Sequence, residues 1–294
     1  MSYILSAEST ADLSKEHFEH RSVRYICFHY RMDGQDYPDD LGETMPIETF
    51  YKRLESGSDS TTSQINQSEY LDYFEQFLSN GQDVLHVSLS SGISGSYYSA
   101  CSAALVAKSR YPERKVIIVD SLAASSGYGL FMDLLADKRD EGLSIGALEA
   151  YAEDNKLRVH HWFFSTDLTF YVKGGRVSKT AALFGGVLNI CPLLNVSSDG
   201  HLIARERIRG KKNVIRRTVK KMIDFADGGT SYGGKCYICH SACIADARAV
   251  AASVEESFPA LKGKIEIYDI GTVIGSHTGP GTVALFFLGK KREN

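Results

Sequence analysis

Small hydroxyl side chains crowd a turn in the first third of the chain. Asp83–Val87 reads as a short buried strand and Ala100–Ala107 as a helix, so Ser88–Ser99 is a turn leading into that helix. Backbone N–H groups and hydroxyls at a helix N-terminus favour an anion. The turn holds no lysine, no acid and no cluster of metal ligands. The sequence therefore predicts a place that holds an anionic head group and does not hydrolyse it.

Two other interpretations of this turn remain open, a serine hydrolase site and an ordinary strand–helix turn. Gly95 directly follows Ser94, whereas a nucleophile elbow has glycine two residues before and two residues after its serine. This spacing disfavours a serine hydrolase. An ordinary strand–helix turn is the other alternative, but it does not account for the hydroxyls here and again at residues 61–63.

Cys236-Tyr-Ile-Cys239-His240 matches a haem-attachment string, and Cys243 adds a further candidate metal ligand. The string lies in a predicted strand, where residues three apart point to opposite faces. Buried structural cysteines are therefore the favoured interpretation.

Composition places the chain among globular proteins. It has 294 residues, of which 43% are apolar and 23% charged, and no apolar run long enough to span a membrane. The N-terminus does not resemble a signal peptide, and six cysteines without such a signal indicate reduced thiols, so we expect a cytoplasmic protein.

The charge is unevenly distributed. The net charge is −3, yet Arg205–Lys221 alone carries +8. This segment is a solvated surface, a nucleic-acid site, or a docking site for an anionic membrane or acidic partner. The segment has no adjacent aromatic residues for base stacking, which disfavours nucleic acid.

Strands alternate with helices four times in the first half, which predicts an α/β fold with a parallel sheet. Ligands bind beyond the carboxyl ends of such strands, where the turns after Val87 and Val119 lie. A second, mixed α/β region begins near residues 154–158, so we expect domains at 1–155 and 156–294. In the second, Ile190–Val196 and Leu202–Ile208 could pair, and His277 lies among glycines.

Five segments in this order make the chain similar to the DegV family, the fatty-acid-binding subunits of bacterial fatty acid kinases. They are Thr62-Ser-Gln64, Leu89-Ser-Ser-Gly-Ile-Ser-Gly95, Asp120-Ser121, Lys173-Gly-Gly-Arg-Val-Ser178 and His277-Thr-Gly279. The family usually has Asp-Ser-Thr where this chain has Glu8-Ser9-Thr10, and proline where it has Ile65.

The resemblance implies a two-domain fold with a long-chain fatty acid in a tunnel between the domains. It implies that Thr62 and Ser94 hydrogen-bond the carboxyl group and that His277 joins the same polar network. It gives secondary roles to Ser63, Gly95, Arg176 and Thr278. The chain would have no catalysis and no cofactor of its own, since a separate ATP-dependent kinase subunit converts the bound acid to an acyl phosphate.

A buried carboxylate requires hydrogen-bond donors, and serine and threonine donate without adding a fixed charge. The alternative is an acyl or phosphoryl transferase, or a hydrolase, that uses Ser94 and His277. For the basic segment we expect docking on the kinase or transient contact with an anionic membrane, through Arg205, Arg207, Arg209, Lys211 and Lys212. Candidates for the tunnel wall are Ile93, Phe163, Phe164, Phe170, Leu183, Phe184, Leu188 and Ile274.

Overall fold

The computed structural model describes residues 3–178 and 189–293. Within these residues the first part of the chain builds a parallel four-stranded sheet in the order β2–β1–β6–β7. Its strands are β1 (Tyr3–Glu8), β2 (Arg24–Ile26), β6 (Asp83–Ser88) and β7 (Val116–Asp120). The helices that accompany it are α1 (Lys15–His20), α2 (Ile47–Glu55), α3 (Gln67–Leu78), α4 (Ser96–Arg110), α5 (Ser125–Asp140) and α6 (Ile145–Asn155).

The second part of the chain builds a mixed six-stranded sheet in the order β10–β9–β8–β13–β11–β12. Its strands are β8 (Val159–Phe164), β9 (Ile190–Val196), β10 (Leu202–Arg209), β11 (Cys236–His240), β12 (Glu266–Asp269) and β13 (Val283–Leu288). The described helices here are α7 (Thr169–Lys173), α8 (Lys211–Phe225), α9 (Ile244–Ser257) and α10 (Thr272–Thr278). The predicted α/β fold with a parallel first sheet is confirmed, as is the antiparallel pairing of β9 with β10.

Two segments differ from what their sequences predict. The apolar run over 23–30 predicts one strand, but the structure divides it into β2 and β3 (His29–Met32), because Ser9 Oγ accepts from the N–H of Phe28 and the Asp39 N–H donates to the Phe28 carbonyl. The hydroxyl-rich residues 58–67 predict a loop, but they contain β5 (Ser60–Ser63), which pairs with β3 in a small sheet that β4 (Gln35–Pro38) completes. The small residues over 180–188 predict a helix, and they lie outside the described residues.

Helix α5 joins the two large sheets. It is almost wholly buried, and it shares one hydrophobic core with side chains from both sheets, among them Leu5, Val87, Phe163 and Phe286. The other face of the second sheet packs against α8 and α9 in a separate core. A side chain on the α5 side of the second sheet therefore faces the first half of the chain. Among the described residues, no helix is long and apolar enough to cross a membrane.

A cluster of charges fastens the two halves beside this core. Asp133 of α5 is buried and lies 2.7 Å from Arg21 Nε, 3.4 Å from His17 Nε2 and 2.5 Å from Lys235 Nζ. The Tyr237 hydroxyl donates to the same carboxylate at 2.7 Å. Burial would raise the pKa of Asp133, but these donors outweigh burial and hold the pKa of Asp133 below its usual range.

The imidazole of His17 makes this cluster sensitive to pH. Burial would lower its pKa, but Asp133 and Glu266 outweigh burial and raise the pKa of His17 to about 9. A raised pKa stabilises the fold fully below the unfolded value near 6.5, and that contribution is lost as the pH rises through about 9. We expect the free energy of unfolding to fall by about 2–3 kcal/mol across this window. Urea unfolding at a series of pH values measures this. The free energy of unfolding of His17→Asn should change much less with pH, whereas substitution of His20, which is exposed on the same helix, should leave the pH dependence of the wild type unchanged.

Candidate functional site

A cavity of about 430 Å³ lies where the two halves of the chain meet. Its volume is in the range of small-ligand sites. Polar side chains and apolar side chains both line it. The polar group includes Thr62, Ser63, Gln64, Ser94, Arg176, His277 and Thr278. The apolar group includes Phe28, Leu89, Ile93, Phe163, Val196, Leu202, Ile274 and Phe286.

Thr62 and His277, 215 positions apart in sequence, meet in this cavity. Thr62 is on β5 and His277 on α10, and Thr62 Oγ1 lies 2.8 Å from His277 Nε2. In the tautomer protonated at Nε2, the imidazole donates to Thr62, and the threonine hydroxyl proton is free for an anion. Burial, and secondarily the charge of Arg176, lowers the pKa of His277 to about 4, so the imidazole is neutral at pH 7.

Two buried carboxylates of the first half position the helix that carries His277. Asp39 accepts from the Thr272 hydroxyl at 2.6 Å and from its N–H at 3.3 Å, and Asp12 accepts from the Gly271 N–H at 3.0 Å. Burial raises the pKa of both carboxyls. Ser60 and Ser276 also share a hydrogen bond of 2.7 Å. The helix belongs to the second half by sequence, yet these contacts fasten it to the first.

Glu8 hydrogen-bonds the first residues of the hydroxyl-rich turn. Its carboxylate is buried and accepts from the Leu89 N–H at 2.8 Å and from Ser88 Oγ at 2.7 Å. Burial would raise its pKa, but His86 and the surrounding hydroxyls outweigh burial and lower the pKa of Glu8. The Glu8 carboxylate therefore anchors the backbone at the start of the turn.

Ser94 lies at the end of that turn, in the cavity wall. Its Oγ accepts from the Ser96 N–H at 3.2 Å and donates to Ser96 Oγ at 3.3 Å. These bonds hold Ser94 at the start of α4, and its hydroxyl must rotate away from Ser96 to donate to a ligand. Ser94 Oγ bonds Ser96, whereas His277 bonds Thr62, so the described residues do not assemble the serine–histidine pair of the transferase alternative.

Gln64 and Arg176 also line the cavity. A Cβ at Gly95 would lie 2.4 Å from Gln64 Oε1, so glycine allows the Gln64 amide to lie directly over the turn. Gln64 also donates to Ser99 Oγ at 3.1 Å. Arg176 is half-buried and donates its Nε–H to the Ile93 carbonyl at 3.2 Å, and burial lowers its pKa. A fixed positive charge, absent from the turn itself, is thus part of the cavity wall.

The apolar candidates divide between the two faces of the second sheet. Ile93, Phe163 and Ile274 line the cavity. Phe164 follows Phe163 on β8, and strand alternation turns it into the core against α8 and α9. Phe170 packs against the core of the first half, and Leu183, Phe184 and Leu188 lie outside the described residues.

Several cavity residues are not among those predicted from the sequence. Ser125, His161, Tyr171, Cys239 and Thr282 line the cavity, although none belongs to the predicted head-group loops. Alternation along β8, with Phe163 as a wall residue, would have indicated His161. The others require knowledge of how the halves pack.

Cys236 and Cys239 lie on β11 as predicted. Cys236 packs in the core beneath α8 and α9, whereas Cys239 faces α5, and both are buried. Burial raises the pKa of the Cys239 thiol to about 12. Within the described part of the chain, no group of three or more metal-ligating side chains comes together. The strand interpretation of these cysteines is confirmed.

The predicted docking residues are all exposed and are here called the basic edge: Arg205, Arg207, Arg209, Lys211 and Lys212. Strand β10 is at the edge of its sheet and carries the three arginines, which are exposed. Glu206 alternates to the other face and pairs with Arg217 and Lys221 of α8. Lys211 pairs with Asp246 at 2.7 Å.

The family model described as "Uncharacterised protein, DegV family" matches residues 5–290. A DegV domain-containing protein of Clostridium perfringens is 32% identical over 99% of both chains. The chain belongs to the DegV family.

Solved DegV structures share its fold. A DegV family protein from Thermus thermophilus, whose structure is described as fatty acid binding, has a TM-score of 0.85 at 26% identity, with 98% of this chain and 100% of that chain covered. The Streptococcus pneumoniae fatty acid kinase B3 protein, loaded with linoleic acid, has a TM-score of 0.85 at 20% identity, with 99% and 100% covered. At that identity the second likeness shows the fold alone.

Gly174 permits the position of His277. A Cβ at residue 174 would lie 2.2 Å from His277 Nδ1, and Gly174 has an ordinary helical φ, so Gly174→Ala tests the steric contact without backbone strain. We expect it to displace the imidazole from Thr62 and to weaken the binding of a carboxylate probe in the cavity about tenfold. Calorimetry with palmitate would measure this. Gly146→Ala is the matched control, because nothing lies within 4 Å of its added carbon.

Proposed function

We propose that the cavity binds one long-chain fatty acid with its carboxylate at Thr62, Ser94 and His277. The observation that supports this proposal is a cavity lined by Thr62, Ser94 and His277 together with many apolar side chains, in which Thr62 and His277 share a hydrogen bond. The carboxylate accepts from the two hydroxyls, with Ser63, Gly95, Arg176 and Thr278 around them. The relative from Thermus thermophilus, described as fatty acid binding, supports the same ligand class.

The acyl tail supplies the affinity. Burial of roughly 15 methylenes at about 0.8 kcal/mol each gives a gross term on the order of 12 kcal/mol. Loss of ligand freedom and the ordering of side chains reduce this value. The head-group donors offset the cost of moving a carboxylate out of water and fix its position.

The carboxylate is presented to a separate ATP-dependent kinase subunit. In that step a carboxylate oxygen forms a bond to the γ-phosphorus of ATP as the bond to ADP breaks, and an acyl phosphate results. Phosphoryl transfer depends mainly on positioning and electrostatic stabilisation. This chain holds the acceptor oxygen in place and carries the product, whereas ATP chemistry belongs to the partner. The chain itself acts as a cytoplasmic carrier without a catalytic step or a cofactor.

Titration of the lipid-free protein with palmitate and with 1-hexadecanol tests the binding step. The two probes share a tail and differ in the head group. We expect palmitate to bind at least tenfold more tightly, because only a carboxylate accepts charge-assisted hydrogen bonds. Addition of ATP and the kinase subunit should then yield an acyl phosphate, which hydroxylamine traps as a hydroxamate. Equal affinities for the two probes would contradict the head-group assignment.

The basic edge is proposed to meet an anionic membrane during fatty-acid exchange. An insoluble ligand is exchanged most readily at a lipid surface, and each arginine or lysine near anionic lipid contributes about 1 kcal/mol of attraction. Nucleic acid is not an expected partner of this surface.

Reversal of charge at Arg205, Arg207 and Arg209 tests this role. We expect the triple glutamate variant to exchange fatty acid with phosphatidylglycerol vesicles at least tenfold more slowly, with its lipid content unchanged. Fluorescent fatty-acid transfer measures the rate, and phosphatidylcholine vesicles are the control. Unchanged transfer would show that the edge is only a solvated surface.

A further inference from the structure

Helix α4 leaves an uncharged face open to solvent. Tyr98 is 62% exposed and Leu105 is 72% exposed, and in the described part of the chain only Ile244, at 39%, joins them as an exposed large apolar side chain. Tyr98 and Leu105 are seven residues apart, which is two helical turns, so they share one face. We call Tyr98, Ser102 and Leu105 the neutral face.

The composition around these residues is unusual for a surface helix. Residues 96–107 contain no charged side chain. The hydroxyl of Ser102, between the two apolar side chains, donates back to the Tyr98 carbonyl at 2.9 Å. Single exposed apolar residues are common, but a row of them without charges resembles the centre of a protein–protein interface, where tyrosine is enriched and charges are depleted.

The helix that carries the neutral face begins beside the cavity. Helix α4 starts directly after Ser94 and Gly95, and Gln64 of the cavity wall bonds to Ser99 within the first turn of the helix. Reacting atoms must approach to about 3–3.5 Å for transfer. A protein that phosphorylates the bound carboxylate must therefore contact this chain near Ser94, and the neutral face lies on the helix that follows Ser94.

The charges near this helix argue against a membrane as the occupant. Its basic side chains, Lys108 and Arg110, lie at the C-terminal end, and Arg110 is paired with Glu75 at 2.8 Å. The basic edge is on β10 and α8, separate elements in the other half of the chain. We infer that the neutral face is the docking surface of the phosphorylating partner, an inference that rests on the proposed function. The chain then has different surfaces for lipid exchange and for phosphorylation.

Leu105→Arg and Tyr98→Lys test this assignment, with Ile244→Arg as the matched control on α9. Each palmitate-loaded protein is titrated against the ATP-dependent fatty acid kinase subunit of the same organism, and hydroxamate formation is measured. We expect the two α4 variants to require about tenfold more protein for half-maximal turnover, with an unchanged maximal rate. Their palmitate content and their transfer to phosphatidylglycerol vesicles should match those of the wild type.

The outcomes separate the two claims. The docking assignment is overturned if both α4 variants reach half-maximal turnover at the same protein concentration as the wild type, or if Ile244→Arg raises that concentration equally. In either case, acyl phosphate formed by the wild type would still support the proposed function. Slower vesicle transfer with normal phosphorylation would show that the neutral face meets lipid, which also overturns it. A wild-type protein that binds palmitate but yields no acyl phosphate would overturn the presentation step itself.

Discussion

Replacement of Asp133 by alanine is expected to lower the free energy of unfolding by about 3 kcal/mol, because it removes the buried carboxylate that three partly buried cations share. Arg21, His17 and Lys235 all converge on this carboxylate, which is 3% exposed. They come from both halves of the chain, so the loss affects the joint beside the cavity as well as α5. Denaturant unfolding followed by circular dichroism measures the change.

Asp140→Ala is the matched control for this experiment. Asp140 is on the same helix and lies 3.5 Å from Arg21, but its side chain is 48% exposed. Surface ion pairs contribute little, so we expect a change of less than about 1 kcal/mol. A similarly small effect of Asp133→Ala would show that solvent, and not this carboxylate, compensates the three cations.

Removal of the two head-group hydroxyls is expected to cost more than a hundredfold in affinity for palmitate. A hydrogen bond to a charged group contributes about 1.5–3 kcal/mol, or roughly tenfold or more for each of Thr62→Val and Ser94→Ala. Valine keeps the shape of threonine, so the first change removes the hydroxyl and its bond to His277 with little loss of packing.

Thr61→Val is the control for the head-group variants, since Thr61 is exposed on the neighbouring position of β5. Its affinity for palmitate should equal that of the wild type. If the double variant Thr62→Val, Ser94→Ala binds palmitate normally, the carboxylate lies elsewhere, and Arg176 becomes the leading candidate for its partner.

The turn that contains Ser94 could be predicted from sequence because it has a local pattern. A strand, a hydroxyl-rich turn and a helix are consecutive, so periodicity and composition are sufficient to place the turn at a helix N-terminus. The choice of Ser94 among its hydroxyls, and of Thr62 and His277, rests on resemblance and stays a prediction, since nothing in the sequence indicates that β5 and α10 meet. Helix α10 could not be predicted either, because it lies in a glycine-rich stretch and glycine has a low intrinsic helix propensity.

The supporting carboxylates could not be predicted for a different reason. Asp12 and Asp39 are ordinary acidic residues in polar segments of the sequence, and their function arises from burial against Gly271 and Thr272. Likewise, Asp133 belongs to a helix whose charged residues suggest a solvated face. Its burial follows from the packing of both sheets on α5, which is a long-range property of the fold.

The most direct test of the central claim is mass spectrometry of the lipid released when the purified protein is denatured. We expect about one long-chain fatty acid per chain from the wild type, and much less from the double variant Thr62→Val, Ser94→Ala. A wild-type protein that is empty, binds no added palmitate and hydrolyses an ester probe in a manner lost on Ser94→Ala would contradict the account. That result would favour the transferase or hydrolase alternative.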